Sequence, residues 1–226
     1  NENIHSIYQD RQSSIWLALN SGMAHLEIPS PLSIFDNRSG LAGSATSITR
    51  WRGSLYVGIH SGGVRRLSRS QGSSSNPVFQ AIPELAAGTA RCLGHQDRLF
   101  IALEKALYQL QGEKVSLLIP DLGISSAYVL YPSKVDPSRI YIGGLGGLTS
   151  IRRSRGSWTL ENTLQDPVST IISILEEKDG RLWLGTMSSG ILRVSYPEGG
   201  PESGKARVER FTNNDGLPTR RENAPF

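Results

Sequence analysis

The sequence predicts an all-β fold, a β-propeller of four-stranded antiparallel blades, and three observations lead there. A run of aliphatic, aromatic, aliphatic and small residues occurs five times: Ile15-Trp16-Leu17-Ala18, Leu55-Tyr56-Val57-Gly58, Leu99-Phe100-Ile101-Ala102, Ile140-Tyr141-Ile142-Gly143 and Leu182-Trp183-Leu184-Gly185. Alternation over so few residues belongs to a strand whose two faces are used differently. The aromatic members are separated by 40, 44, 41 and 42 residues, a period suited to one blade of four strands. Each copy is also flanked alike, by an apolar patch upstream and a small residue, usually glycine, downstream.

The elements follow in order within each repeat. First strands are expected at Ile4–Ile7, Thr46–Ile48, Ala90–Leu93, Tyr128–Leu130 and Ile171–Leu175. Ile7 and Ile174 each stand nine residues before their tryptophan with polar turn formers between, the spacing of an antiparallel hairpin. Asp10-Arg11-Gln12-Ser13, Trp51-Arg52-Gly53, Gln96-Asp97 and Lys178-Asp179-Gly180 supply those turns, and Pro132–Ser138 a longer one. After the aromatic strand, Gly22, Gly63, Ala106, Gly147 and Gly190 lead into third strands, glycine permitting a tight turn with positive φ. Outer strands are expected around Phe35, Phe79, Leu117-Leu118, Trp158–Leu160 and Val208–Phe211, with Gly40-Leu41, Leu122-Gly123 and Gly216-Leu217 carrying the chain to the next inner strand. The repeats span approximately 1–36, 42–80, 86–119, 124–161 and 168–212, and 213–226 begins a further blade. Face-to-face packing of such sheets requires large side chains between blades and small ones where strands approach. Trp16, Tyr56, Phe100, Tyr141 and Trp183 are therefore expected as wedges, each worth about 1.5–3 kcal/mol when fully buried.

Composition narrows the function classes. At 226 residues the chain has enough apolar surface for a core without disulfides. Cys92, the single cysteine, lies in an apolar stretch and reads as a buried structural thiol. The four histidines share no metal-ligand spacing with one another or with Cys92, so no metal site and no cofactor are expected. A net charge of +4 is spread over single and paired arginines without a basic stripe, which argues against a nucleic-acid groove. No apolar stretch reaches the length of a membrane span, and residues 1–5 lack the features of a signal peptide. Any membrane attachment would come through segments outside this chain.

The run Ile174-Leu175-Glu176-Glu177-Lys178-Asp179-Gly180-Arg181-Leu182-Trp183-Leu184-Gly185-Thr186, followed by Gly190–Val194 and closed by Phe211-Thr212-Asn213-Asn214-Asp215-Gly216-Leu217-Pro218, resembles the two-component regulator propeller repeat. The first and second repeats are recognisable by the same marks; the third and fourth follow mainly in pattern. The resemblance implies a seven-bladed propeller of which five blades are present, on the extracytoplasmic side of a bacterial membrane receptor whose output is a histidine kinase, a hybrid kinase-regulator or a nucleotide cyclase. It also implies a sensor module working as a homodimer. No output motif occurs in these residues.

Three functions compete. A sensor would gather the loops between second and third strands at one end of the blades, around a small-molecule or oligosaccharide ligand. Asn20, His60, Glu104 and Ser188 are the candidate ligand-binding residues, because those loops differ in chemistry while the strands do not. A propeller enzyme of the glycosidase type would require two carboxylates across one site. Asp10, Asp97 and Asp179 fall instead in hairpins at the opposite strand ends, so no catalytic residue is assigned. A protein-interaction scaffold is the third reading, since fold alone does not specify function.

Overall fold

The computed structural model describes residues 4–10, 14–19, 22–26, 35–68, 78–95, 98–196 and 200–217. Asn20, Asp97 and the side chain of Cys92 lie outside the described residues. Two compact units are present, Asn1–Asp36 and Asn37–Phe226. Among the described residues no helix is long and apolar enough to cross a membrane.

The first unit holds one antiparallel sheet of β1 (Ile4–Gln9), β2 (Ile15–Leu19) and β3 (Gly22–Leu26). Phe35, expected on an outer strand, is irregular, and residues 27–34 lie outside the described ones. Trp16 departs from the expectation of a buried wedge: it is 37% exposed, and its indole N–H donates to Asp10 Oδ2 at 3.0 Å. Asp10 also accepts the Ser14 amide at 2.9 Å, so the same carboxylate closes the turn and holds the ring.

The second unit repeats one plan. Blade two is β4 (Ala45–Trp51), β5 (Ser54–Ile59), β6 (Gly63–Ser68) and β7 (Val78–Ala81), hydrogen-bonded in that order. Blade three is β8 (Ala90–His95), β9 (Arg98–Leu103), β10 (Ala106–Gln111) and β11 (Lys114–Ile119). Blades four and five run on β12 (Ser126–Pro132), β13 (Arg139–Ser154), β14 (Ser157–Glu176), β15 (Leu182–Thr186), β16 (Ile191–Ser195) and β17 (Arg207–Phe211). Here the structure departs from separate short strands. β14 is both the outer strand of blade four and the inner strand of blade five, and the six strands form one continuous ladder. β13 likewise passes through Leu145-Gly146, which stand where the sequence places a loop between the second strand, ending near Gly143, and the third, led in by Gly147. Gly146 (φ 100°) and Gly147 (φ 138°) take left-handed angles there and turn the chain at a register shift without leaving the ladder.

The repeated run uses its two faces as the alternation demands. Tyr56 packs with Leu99 and Ile101 of the following blade, Phe100 with Ile140 and Ile142, and Tyr141 with Leu182 and Leu184. The aromatic therefore faces the next blade and the aliphatic pair the preceding one. Tyr56, Phe100 and Tyr141 are buried, and Trp158 on β14 meets Phe100 edge-on with centroids 5.0 Å apart. Trp183, expected to be wedged like them, is only half-buried. Its face meets no following blade among the described residues, and its own sheet covers it in part: Phe211 lies 5.4 Å away and the Arg193 guanidinium 5.3 Å from the ring.

The small residue two places after the aromatic has an equally direct cause. A Cβ on Gly58 would run into the Ala90 carbonyl oxygen on β8, so only glycine lets that inner strand come so close. Thr46 Oγ1 donates to the same carbonyl at 2.5 Å, joining the inner strands of blades two and three.

Candidate functional site

Strand polarity gathers the loops between second and third strands with the entries to the inner strands at one end of the blades. In blade two that loop is His60-Ser61-Gly62, and in blade three Glu104-Lys105. The structure brings His60 and Glu104 together through Thr89, which precedes β8. Thr89 Oγ1 lies 3.1 Å from His60 Nδ1, and the Thr89 amide donates to Glu104 Oε1 at 2.8 Å. The Ser61 amide donates to Thr89 Oγ1 at 3.3 Å, and the Glu104 amide to the Thr89 carbonyl at 3.3 Å. Two blades thus meet on one threonine.

Ser61 (φ 55°) and Glu104 (φ 52°) occupy the left-handed region, which costs a residue bearing a Cβ. The bonds to Thr89 offset that cost. Arg52 (φ 47°) and Arg155 (φ 49°) take the same region in the hairpin turns between β4 and β5 and between β13 and β14.

Glu104 borders an open cavity of about 520 Å³, lined also by Lys105, Asp121, Gly123, Ile124 and Ser125. Lys105 Nζ pairs with Asp121 Oδ2 at 3.4 Å, and both side chains remain largely exposed. The Gly123 amide, donating to Asp121 Oδ1 at 2.9 Å, holds that carboxyl below its usual range, with the Lys105 ammonium adding to the effect. Asp121 is accordingly an acceptor at neutral pH and not a proton donor. The cavity offers a cation, a bound carboxylate, a second carboxylate on Glu104 and the apolar Ile124, a set suited to orienting a polar small molecule.

Of the four residues read from sequence, His60 and Glu104 share this network. Ser188 stands in the corresponding loop of blade five, exposed and not among the residues lining the cavity; Asn20 lies outside the described residues. Near Ser188 a separate cluster ties Arg210 Nη2 to Asp166 Oδ2 at 2.9 Å and Arg210 Nη1 to the Ser189 carbonyl at 3.1 Å. Thr89 and Asp121 were not found by sequence reasoning. Both lie in links from an outer strand to the next inner strand, and a comparison of those links across repeats, at Ser44, Thr89, Ser125 and Ser169, is the signal that could have found Thr89.

No curated protein sequence matches the chain. Among solved structures, the extracellular domain of BT4673 from B. thetaiotaomicron, assigned provisionally as a hybrid two component system, superimposes with a TM-score of 0.59 at 15% identity, covering 94% of this chain and 31% of that one. PorZ of Porphyromonas gingivalis, a surface component of the type-IX secretion system, gives a TM-score of 0.53 at 12% identity, covering 94% of this chain and 34% of that one. A streptogramin B lyase gives 0.52 at 10% identity, covering 92% and 69%. The chain thus spans about a third of the first two relatives. At these identities the likeness shows the fold. The family profile described as two component regulator propeller matches residues 165–188, the inner hairpin of blade five. The same four-residue pattern recurs in the other blades, so blade five carries a segment similar to the two component regulator propeller repeat and its neighbours share the pattern.

Proposed function

We propose that this chain is the ligand-binding, non-enzymatic input propeller of a bacterial transmembrane signalling receptor, placed on the extracytoplasmic side of the membrane. The repeat family and the extracellular domain of BT4673 support an extracellular sensor propeller. The observation that carries the binding role is the pair of loops joined at Thr89 beside an open polar cavity. A ligand seated against Glu104, Lys105 and Asp121 would bear on blade three, and through Thr89 on His60 of blade two. Such a bridge would convert occupancy into a change of spacing between blades.

The test is a thermal-shift screen of the chain against neutral and acidic oligosaccharides and amino acids, repeated on a variant with Asn20, His60 and Glu104 all replaced by alanine. Stabilisation by at least one compound, lost in the variant, is expected. A shift of the same size in the variant would refute the assignment.

A further inference from the structure

A second cavity lies at the opposite strand ends, where the hairpins between first and second strands turn. It encloses about 380 Å³ between blades four and five, within the range of small-molecule sites. Val135, Arg139, Glu176, Arg181 and Tyr196 are among the residues that line it.

Glu176 carries the unbalanced charge of this cavity. It is 8% exposed, and no cation pairs with it among the described residues. Its partners are neutral. Oε2 accepts the Lys134 amide at 2.6 Å, the Ser133 hydroxyl at 3.0 Å and the Val135 amide at 3.3 Å, whereas Oε1 accepts the Ser133 hydroxyl alone, at 2.7 Å. Closing the turn after β12 thus saturates one oxygen and leaves the other with acceptor capacity. A buried carboxylate without a counter-ion is costly, so the site gains from any cation brought to it.

The protein's own cations nearby are already taken. Arg139 and Arg152 share Asp136, Glu161 and Glu202 between them, and Arg181 stands between Asp179 at 2.7 Å and Glu177 at 3.0 Å. In each group the acids outnumber the arginines, so neither group has positive charge to spare. The Lys134 ammonium stands instead over the Tyr131 ring, 6.0 Å from its centroid.

The rest of the lining decides which kind of cation fits. Among the described residues no group of three His, Cys, Asp or Glu is placed to hold a metal ion, and the cavity is far larger than a bare ion needs. Val135, 50% exposed, supplies apolar surface. The Tyr196 hydroxyl makes no hydrogen bond among the described residues and can accept one from an ammonium. A primary ammonium on a small organic body uses all three features.

We infer that the cavity between blades four and five binds a small primary amine, with its ammonium on Glu176 Oε1 and its body against Val135. Saturation-transfer NMR of the 226-residue chain in phosphate buffer tests it with n-butylamine, phenethylamine and putrescine, n-butanol and butyrate serving as neutral and anionic counterparts. At least one amine binds saturably, and butanol and butyrate bind about tenfold more weakly or not at all. Glu176→Gln keeps the size of the side chain and an acceptor for the turn but removes the charge, and weakens amine binding about tenfold, the loss of one charged hydrogen bond. Should that variant melt early, Arg181→Gln gives the second measurement: relieving the repulsion at the rim tightens amine binding about two- to fivefold. Glu113→Gln, which removes an exposed acid from blade three, leaves it unchanged. No saturable binding by any of the three amines, butanol binding as tightly as butylamine, undiminished binding in a folded Glu176→Gln, unchanged or weaker binding in Arg181→Gln, or loss in Glu113→Gln overturns the inference.

Discussion

Replacing the small residue of the repeated run by alanine, blade by blade, separates the packing between blades from the intrinsic preference of a strand. Gly58, Gly143 and Gly185 occupy the same position, two after the aromatic, and none has a positive φ. Relative to glycine, alanine without strain stabilises by about 0.4–1 kcal/mol through the unfolded chain. What the new methyl meets then decides the sign. At Gly58 it meets the Ala90 carbonyl on the next inner strand, and Ser47 Oγ at 2.6 Å. Backbone cannot rotate away, so β8 must shift, at a cost of about 1–3 kcal/mol. At Gly143 the obstacles are the Ile171 and Val129 side chains, at 2.6 and 2.9 Å, which can yield in part. At Gly185 the methyl meets only the side chain of Ser173 on its own blade, which can turn aside. The expected order of stability loss is Gly58→Ala, then Gly143→Ala, then Gly185→Ala, with about 2 kcal/mol between the extremes. For a chain of this size that is a difference in melting midpoint of roughly 4–8 °C. Calorimetry on the three variants measures it. Equal shifts would show that the small residue is not set by the approach of the next blade.

Other outcomes follow from the same contacts. Glu176→Ala leaves the buried Ser133 hydroxyl and the Lys134 and Val135 amides without their acceptor, and costs about 3 kcal/mol; a double-mutant cycle with Ser133→Ala by urea denaturation should give a coupling above about 0.5 kcal/mol. Tyr141→Ala costs about 3–5 kcal/mol in the same assay, while Trp183→Ala costs clearly less, because the indole is only half-buried. Burial works against the charge on Asp136, but the Ser138 hydroxyl and amide, with Arg139 and Arg152, outweigh it and hold the carboxyl below its usual range. A depressed folded value means stability that is present above the unfolded pKa of about 3.9 and lost as pH falls below it toward the folded value. Asp136→Asn should therefore narrow the gap between urea midpoints measured at about pH 7 and about pH 3, and an unchanged gap would remove Asp136 from the acid response.

Much of the fold could be read from residues because a propeller repeats one local pattern. Leu99, Phe100, Ile101 and Ala102 alternate between two blades, and their hydropathy reports that alternation directly. The continuity of β14 was not legible, since Gln165-Asp166-Pro167 reads as a link; the ladder on either side of it carries the strand through. Nor was the difference among the five aromatics. Trp16 and Trp183 are the two exposed or half-buried members, and each donates its indole N–H to an acid six residues earlier, Asp10 and Glu177. Tyr56, Phe100 and Tyr141 are preceded at that distance by Arg50, Gly94 and Val135, none of which offers a carboxylate. The correlation has a physical basis. Only the two tryptophans carry a ring N–H, and with one edge toward water each gains from the acid that fixes it, whereas the buried Tyr56 and Tyr141 hydroxyls turn to Arg66 and Arg139. The same logic explains why His60 and Glu104 could be singled out but their joint could not. Their loops vary between repeats and so advertise themselves, while Thr89 belongs to a linking segment where serine or threonine is ordinary. Only the closure of one blade on the next gives that threonine its role, and it is at such joints, not at the loop tips alone, that an input propeller would transmit what it binds.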